Sequence, residues 1–231
     1  MESVPLRQTQ TQVLVNDFVR SVYNWMAIGL ALTGFVAYFV ANNEPLLRLV
    51  YNAKWLFFIG EIGLVIWLSS RIGKMKASTA TAMFLVYAAL NGATFSFIFL
   101  IYTTSSIAST FFICAGAFAA LSVFGWVTKK DLSGMGSFMF MGVIGILIAS
   151  VVNIFLQSHG IQMIISYIGV LVFAGLTAYD TQEIKNMALS QPAGLGAGVV
   201  RKGAIMGALK LYLDFILMFQ YLLFLLGGSR D

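Results

Sequence analysis

The sequence predicts an all-α membrane protein with seven transmembrane helices. Hydrophobic residues make up 59% of the 231 residues, and charged residues make up only 10%. Soluble domains carry roughly 25% charged residues, so this chain has too few charges to cover a surface that faces water. Apolar stretches also recur along the chain, and a helix needs about 20 mostly apolar residues to cross the hydrocarbon layer. Lipid is therefore the expected solvent.

Helices are favoured over a membrane β-barrel by the length of the apolar stretches, because barrel strands are about ten residues long and alternate in polarity. A helix also satisfies its own backbone hydrogen bonds in lipid. The expected spans are Tyr23–Ala41, Trp55–Ser70, Thr79–Tyr102, Ile107–Val127, Gly136–Gln157, Gln162–Asp180 and Ala204–Leu226.

The ends of the chain are polar and fall outside these spans. Residues 1–22 contain no apolar run of the kind found in a cleavable signal peptide, so the first span is the expected insertion signal. We expect residues 1–22 to form a cytoplasmic N-terminal tail, residues 23–226 a seven-helix transmembrane domain and residues 227–231 a C-terminal tail. Thr181–Gly203 contains Pro192 and several glycines, so we expect a flexible loop before the last helix.

The basic residues predict the orientation. Ten Lys and Arg residues fall on the side of the N-terminus and three on the opposite side. Positive charge is enriched on the cytoplasmic side of membrane proteins, so the N-terminus is expected in the cytoplasm. The net charge of +5 comes from short clusters beside hydrophobic segments. That distribution indicates topology, and we expect no binding to nucleic acid.

Three carboxylates stand inside predicted spans. A charged side chain in a span costs about 2.5–3.5 kcal/mol on insertion scales, so each one requires an explanation. Asp214 lies in the apolar stretch KLYLDFILMFQYLLFLL, Asp180 ends the sixth span, and Glu61 lies well inside the second span. The sixth and seventh spans run antiparallel, so Asp180 and Asp214 can approach each other. These residues are the candidate functional site.

Each candidate also has a simpler explanation. Lys210 precedes Asp214 by four residues, so the two share one helix face and can form an ion pair. Asp180 can be a helix-end residue hydrated from the cytoplasm. Arg71 can be an interfacial anchor that reaches the headgroups with its long side chain. Glu61 has no basic residue within four positions, so it requires a partner on another helix, water or protonation.

Other chemical signals are weak. His159 has no Cys, His or carboxylate nearby, and Ser133-Gly-Met-Gly lacks the base or lysine of a hydrolase or phosphate-binding loop. Cys114 stands alone in an apolar run, so no intrachain disulfide is possible. We therefore expect no enzyme activity, no cofactor and no firmly assigned metal site.

Several motifs resemble the bacterial branch of the Bax inhibitor family of membrane proteins. They are NDFVRSVYNWMAIGLALTG near the N-terminus, TKKDLSGMG (Thr128–Gly136), GLTAYDTQ (Gly175–Gln182) and LYLDFI (Leu211–Ile216). The resemblance covers nearly the whole chain in the expected order. It implies a last helix that is central within a bundle of six others, and a location in the bacterial inner membrane.

The resemblance also implies a pH-sensitive calcium leak, with calcium as the transported ion. By motif, Asp180 and Asp214 are the hydrogen-bonded pair that senses protons and gates the leak. Glu61 matches an acidic residue along the proposed pore, and Arg71 is the nearest candidate for an arginine that locks onto the pair. The chain departs from the family pattern at Lys210, where an uncharged residue is more usual, and in a longer loop before the last helix.

Three classes of function remain open from the sequence. A passive calcium leak channel, with the lipid bilayer, calcium ions and protons as its partners, is favoured. A proton-coupled cation exchanger would use the same carboxylates. A regulatory protein would bind a membrane protease or another membrane-protein partner through residues 1–22.

Overall fold

The computed structural model describes residues 3–190 and 195–228, with side chains from Leu14 onward. Within these residues the regular structure is helical. The helices are α1 (Ser3–Ala41), α2 (Glu44–Asn52), α3 (Lys54–Arg71), α4 (Ala77–Phe95), α5 (Ile98–Ile101), α6 (Thr104–Val127), α7 (Ser133–Leu156), α8 (His159–Leu189) and α9 (Ala197–Leu226), with a 3-10 turn at Ile72–Lys74.

Seven segments of the described residues are long and apolar enough to cross a membrane, which confirms the predicted fold class. The third segment, Ala77–Ile101, combines α4 and α5. The last segment, Ala197–Leu226, has the largest share of buried residues of the seven, which is the feature expected of a central last helix.

The helices α8 and α9 extend well past the predicted spans. α8 continues nine residues beyond Asp180, and α9 begins at Ala197, so the expected loop Thr181–Gly203 is wrong for most of its length. Ile184 and Ala188 are buried at a spacing of four residues, and this spacing continues the apolar face of α8. Residues 190–196 separate the two helices, and 191–194, which include Pro192, lie outside the described residues.

α1 also begins earlier than the predicted first span. It starts at Ser3, and the apolar segment suited to a membrane starts at Leu14. Val15, Phe18 and Val22 are buried at helical spacing, so this part of α1 packs against the rest of the protein. The boundaries at residues 22 and 226 stay predictions, and residues 229–231 of the expected C-terminal tail lie outside the described residues.

A break in the third span separates α4 from α5. The amides of Ser96 and Phe97 donate to the carbonyls three residues earlier, on Ala93 and Thr94, at 3.2 and 3.4 Å. The Ser96 hydroxyl also donates to the Ala93 carbonyl oxygen at 2.6 Å. The α-helical bonding pattern is therefore replaced by a tighter one at this point of the span.

The chain divides into two compact units. The first unit contains Met1–Ile101 and Lys185–Tyr212, and the second contains Tyr102–Ile184 and Leu213–Asp231. In the first unit, α1 and α4 approach closely at two glycines. A Cβ on Gly29 would lie 2.6 Å from the Phe84 ring, and one on Gly92 would lie 2.6 Å from the Thr33 carbonyl oxygen.

The second unit packs α8 against α6 and α7. A Cβ on Gly125 of α6 would overlap the Ala178 carbonyl, and a Cβ on Gly136 of α7 would lie 2.6 Å from the Tyr179 ring. These glycines let the helices approach more closely than larger residues allow. Ala178 and Tyr179 directly precede Asp180, so these contacts fix the α8 turn that carries the candidate carboxylate.

Candidate functional site

Asp180 lies inside α8, with nine further helical residues after it. Its side chain is only 8% exposed, and Thr177 and Thr181 beside it are buried as well. The Thr177 hydroxyl donates to the Phe173 carbonyl within α8 at 2.8 Å. The residue is therefore a buried carboxylate in a continuous helix, and it does not stand at a helix end as the sequence suggested.

Asp214 lies on α9 and is only 4% exposed. It is 17 residues from the start of α9 and 12 from its end, or about 26 and 18 Å along the axis at 1.5 Å per residue. Asp180 and Asp214 belong to the same unit, and both are enclosed by protein. Their hydrogen-bonded pairing stays a prediction.

Aromatic and sulfur groups surround the Asp214 segment in the second unit. The ring of Phe215 makes edge contacts with Phe111 and Phe118, with centroid distances of 5.4 and 5.5 Å. The buried Cys114 thiol lies 3.8 Å from the Phe215 carbonyl oxygen. Asp214 is thus carried by a tightly packed, apolar part of the fold, in which a lone negative charge would be costly.

The residue Gln182, two positions after Asp180, fixes the loop between α6 and α7. Its side-chain amide donates to the Lys130 carbonyl at 2.8 Å and accepts from the Leu132 amide at 2.9 Å. Two of the sequence motifs therefore meet here, since TKKDLSGMG supplies the loop and GLTAYDTQ supplies the glutamine. Both motifs are visible in the sequence, but the contact between them was not predicted from it.

Asp131 in the same loop accepts hydrogen bonds from Ser133, the first residue of α7. One of its carboxylate oxygens accepts from the Ser133 hydroxyl at 2.6 Å and from the Ser133 amide at 2.9 Å. These two bonds hold the pKa of Asp131 below its usual range, and the bond from the Ser133 hydroxyl has the larger effect. Asp131 is fully exposed, so it belongs to the loop surface and not to the buried site.

Glu61 lies on α3 in the first unit, where it is half-buried. The Thr94 hydroxyl on α4 donates to its carboxylate at 2.5 Å. Glu61 was expected to need a partner on another helix, water or protonation, and Thr94 is such a partner. Thr94 also stands at the break between α4 and α5, so Glu61 lies beside an interrupted stretch of backbone. Sequence reasoning missed Thr94, because the two residues are 33 positions apart.

The remaining candidates also belong to the first unit. Arg71 is exposed in the last turn of α3, ten residues after Glu61. Lys210 is half-buried on α9, one helical turn before Asp214. The proposed arginine lock and the effect of Lys210 on the carboxylates stay predictions. Among the described residues, no cluster of three His, Cys, Asp or Glu side chains is arranged to hold a metal ion.

In the described part of the chain, seven segments are long and apolar enough to span a membrane, and Asp180 and Asp214 are buried in the second unit. These features define a polytopic α-helical membrane protein. Comparison with known proteins gives the family. The family model described as "Inhibitor of apoptosis-promoting Bax1" matches residues 15–231, so the chain belongs to the Bax inhibitor family, as its motifs predicted.

Three relatives match over almost their whole length. The inner membrane protein YbhL of Escherichia coli K12 is 46% identical, with 96% of this chain and 95% of the relative covered. An uncharacterized protein of Deinococcus radiodurans is 43% identical, with 100% and 98% covered. An uncharacterized protein of Borreliella burgdorferi is 41% identical, with 99% of each chain covered.

Proposed function

We propose that the protein is a pH-sensitive calcium leak channel gated by Asp180 and Asp214. One observation carries the proposal: two carboxylates are buried in apolar, membrane-spanning helices of one compact unit. Buried ionisable groups in spans are costly to retain, and they commonly mark ion or proton pathways. Membership in the Bax inhibitor family and the motifs around both residues support the same assignment.

The proposed gate works through one shared proton. Two carboxyl groups in a poorly hydrated site repel each other when both are ionised, so they retain a proton between them. The hydrogen-bonded pair then holds α8 to α9. Removing the proton adds a second negative charge and favours an arrangement in which the helices separate. Flux is therefore expected to rise as the pH rises through the titration of the pair.

Glu61 supplies a second acidic point along the proposed ion pathway. Calcium prefers oxygen ligands, and a leak requires that they bind it weakly. Glu61 is half-buried, bonded to a hydroxyl, and next to the break between α4 and α5. Interrupted helices in membrane proteins commonly line cavities and expose carbonyl oxygens to ions. This environment supports weak, transient binding of a cation at Glu61 better than it supports a closed metal site.

We further propose that the protein resides in the bacterial inner membrane with its N-terminus in the cytoplasm. The name of the Escherichia coli relative places that protein in the inner membrane. The excess of Lys and Arg on the N-terminal side supports the orientation.

Calcium flux in reconstituted vesicles tests the channel. The wild-type protein is compared with Asp180→Asn and Asp214→Asn at pH 6, 7 and 8, with Asp131→Asn as a control that removes an exposed carboxylate of the same unit. We expect wild-type flux to increase with pH, both site variants to lose this dependence, and the control to keep it. Flux that is unchanged in the site variants contradicts the gate.

The same vesicles separate a channel from an exchanger. With a pH gradient and no calcium gradient, a passive leak gives no net calcium movement. A proton-coupled cation exchanger uses the pH gradient to move calcium and so creates a calcium gradient under these conditions, and that result would replace the proposal. Parallel measurements with sodium define the ion selectivity.

A further inference from the structure

A cluster of basic side chains from two distant parts of the sequence meets at one end of the first unit. One part is the end of α3 and the turn after it, with Arg71, Lys74 and Lys76 exposed. The other part is the start of α9, with Arg201 and Lys202. The Lys202 ammonium group donates to the Gly73 carbonyl at 2.8 Å, which brings the two parts together.

Arg201 is held in a fixed orientation by two contacts. Its Nε donates to the Thr81 hydroxyl at 3.1 Å, and its guanidinium carbon lies 5.4 Å from the centre of the Trp25 ring. The residue is nevertheless exposed, so an anion can reach the guanidinium group. A guanidinium that is already positioned loses little side-chain entropy when it binds a planar or tetrahedral oxyanion.

The opposite end of α3 has a different charge balance. There, Arg48 of α2 forms an ion pair with Glu44, with 2.5 Å between guanidinium nitrogen and carboxylate oxygen. On α1, whose Trp25 contacts Arg201, the acidic residue is Asp17, eight residues before Trp25 and thus about 12 Å along the helix. The cluster therefore carries an excess of positive charge where α3 ends and α9 begins.

Exposed apolar side chains continue from the cluster along α3. Ile66 is 63% exposed and Trp67 is 42% exposed, one turn before Arg71. In a membrane these side chains face acyl chains, and the basic groups lie at headgroup level. Trp25 fits the same level, where aromatic residues are enriched. The combination of a cationic rim and an apolar wall matches a phospholipid better than a soluble anion.

We propose that this cluster, Arg71, Lys74, Lys76, Arg201 and Lys202, binds the phosphate headgroup of an anionic phospholipid. Basic pockets between transmembrane helices bind such headgroups in other membrane proteins. Arg201 and Lys202 hold the phosphate, and the three residues after α3 supply further attraction. The proposed site does not include Asp180 or Asp214, and it does not depend on the proposed leak.

Lipid binding to the purified full-length protein tests the site. The apparent affinity for phosphatidylglycerol and for phosphatidylcholine is measured in mixed micelles by native mass spectrometry. Each basic residue near an anionic surface contributes about fivefold in affinity. We therefore expect Arg201→Gln/Lys202→Gln to bind phosphatidylglycerol roughly 25-fold more weakly, with phosphatidylcholine binding unchanged.

Two further variants keep this test decisive. Lys74→Gln/Lys76→Gln removes two charges and leaves the contacts to Thr81, Trp25 and Gly73 intact, so we expect weaker phosphatidylglycerol binding in a normally folded protein. Lys129→Gln/Lys130→Gln removes two exposed charges from the α6–α7 loop of the second unit, and it is the control for net charge. An equal loss in this control overturns the proposal, as does equal affinity of the wild type for the two lipids.

Inorganic phosphate and glycerol 3-phosphate distinguish a lipid site from a soluble-phosphate site. We expect neither compound to displace phosphatidylglycerol at millimolar concentration, because the acyl chains contribute to binding along α3. Displacement at that concentration would assign the cluster to a soluble phosphate compound and would refute the lipid proposal.

Discussion

The two units join their helices in similar ways but place the polar contact in different surroundings. In the first unit, Gly92 brings α4 close to the Thr33 backbone of α1, and the Thr33 hydroxyl lies 2.7 Å from the Tyr212 hydroxyl, with both residues buried. In the second unit, Gly125 brings α6 against Ala178, and the buried side chain of Gln182 on α8 bonds to the backbone of the α6–α7 loop. The comparison separates two contributions, close backbone packing and side-chain hydrogen bonding.

The hydrogen bonds of Thr33 show how the buried contact is satisfied. Its hydroxyl lies 3.0 Å from the Gly29 carbonyl oxygen and 2.9 Å from that of Ala88. A hydroxyl has one proton to donate and two lone pairs to accept, so the Thr33 proton serves these carbonyls and Tyr212 donates to Thr33. The contact joins α1, α4 and α9 of the first unit through one small side chain.

The largest effect is expected from Gly125→Ala in the second unit. The added Cβ would overlap the backbone carbonyl of Ala178, and a backbone atom cannot turn aside as a side chain can. Overpacking typically costs 1–3 kcal/mol, and we expect a loss of about 3 kcal/mol or more here. Thermal unfolding in detergent measures this loss as a clear decrease in Tm.

Gly116→Ala is the matched control on the same helix. No atom lies within 4 Å of a Cβ at this position, so α6 accommodates the methyl group and Tm stays close to the wild-type value. Equal Tm values for the two variants would show that α6 and α8 are farther apart than the structure places them.

Gln182→Ala tests the polar contact in the loop. The variant loses two hydrogen bonds to backbone groups of Lys130 and Leu132, each worth roughly 0.5–1.5 kcal/mol. Gln182 and Leu132 are both buried, so water replaces little of this bonding, and we expect a total loss of about 1–3 kcal/mol. Hydrogen exchange of the Leu132 amide should become faster, and Lys130→Ala, which keeps its carbonyl, should leave that exchange unchanged.

Tyr212→Phe tests the polar contact in the first unit and should have a smaller effect. The ring keeps its edge contacts with Phe84 and Tyr87 at 5.8 and 6.0 Å, and Thr33 keeps its two carbonyl acceptors. Hydrogen bonds between membrane helices average about 0.6 kcal/mol, so a loss near that value is expected.

Tyr167→Phe, on a 57% exposed tyrosine of α8, is the control. A larger loss for Tyr212→Phe than for Gln182→Ala would show that the single hydroxyl contact of the first unit contributes more than the two bonds of Gln182.

Much of this fold follows from the sequence, because hydrophobic length decides whether a helix spans the membrane. All seven spans were predicted on that basis. The extra turns of α8 after Asp180 were not, because Thr181, Gln182 and Glu183 look like the end of a helix when only polarity is considered. Their place in the helix comes from buried Ile184 and Ala188, so tertiary packing overrides the local signal.

The candidate site was predicted less completely than the fold. Asp180, Asp214 and Glu61 are found from sequence because a carboxylate in an apolar stretch is unusual. Their surroundings are not found in this way. Thr94 and Gln182 are ordinary polar residues whose partners are 33 and about 50 positions away, and local sequence carries no record of such distances.

The smallest effect is expected at Asp131, where the polar contact is fully exposed. Its hydrogen bonds from Ser133 lower the pKa of the carboxylate in the folded state. A lowered pKa means that the stabilisation is present above the pKa of the unfolded chain and disappears as the pH falls through the folded-state pKa. The Tm of Asp131→Ala should therefore lie slightly below that of the wild type at pH 7, and the difference should vanish once the pH falls below the folded-state pKa of Asp131. A difference in Tm that stays constant from pH 7 to pH 2 would show that the Ser133 contacts do not depend on the charge of Asp131. The loop contact of the second unit would then be held by Gln182 without an electrostatic contribution from the α7 start.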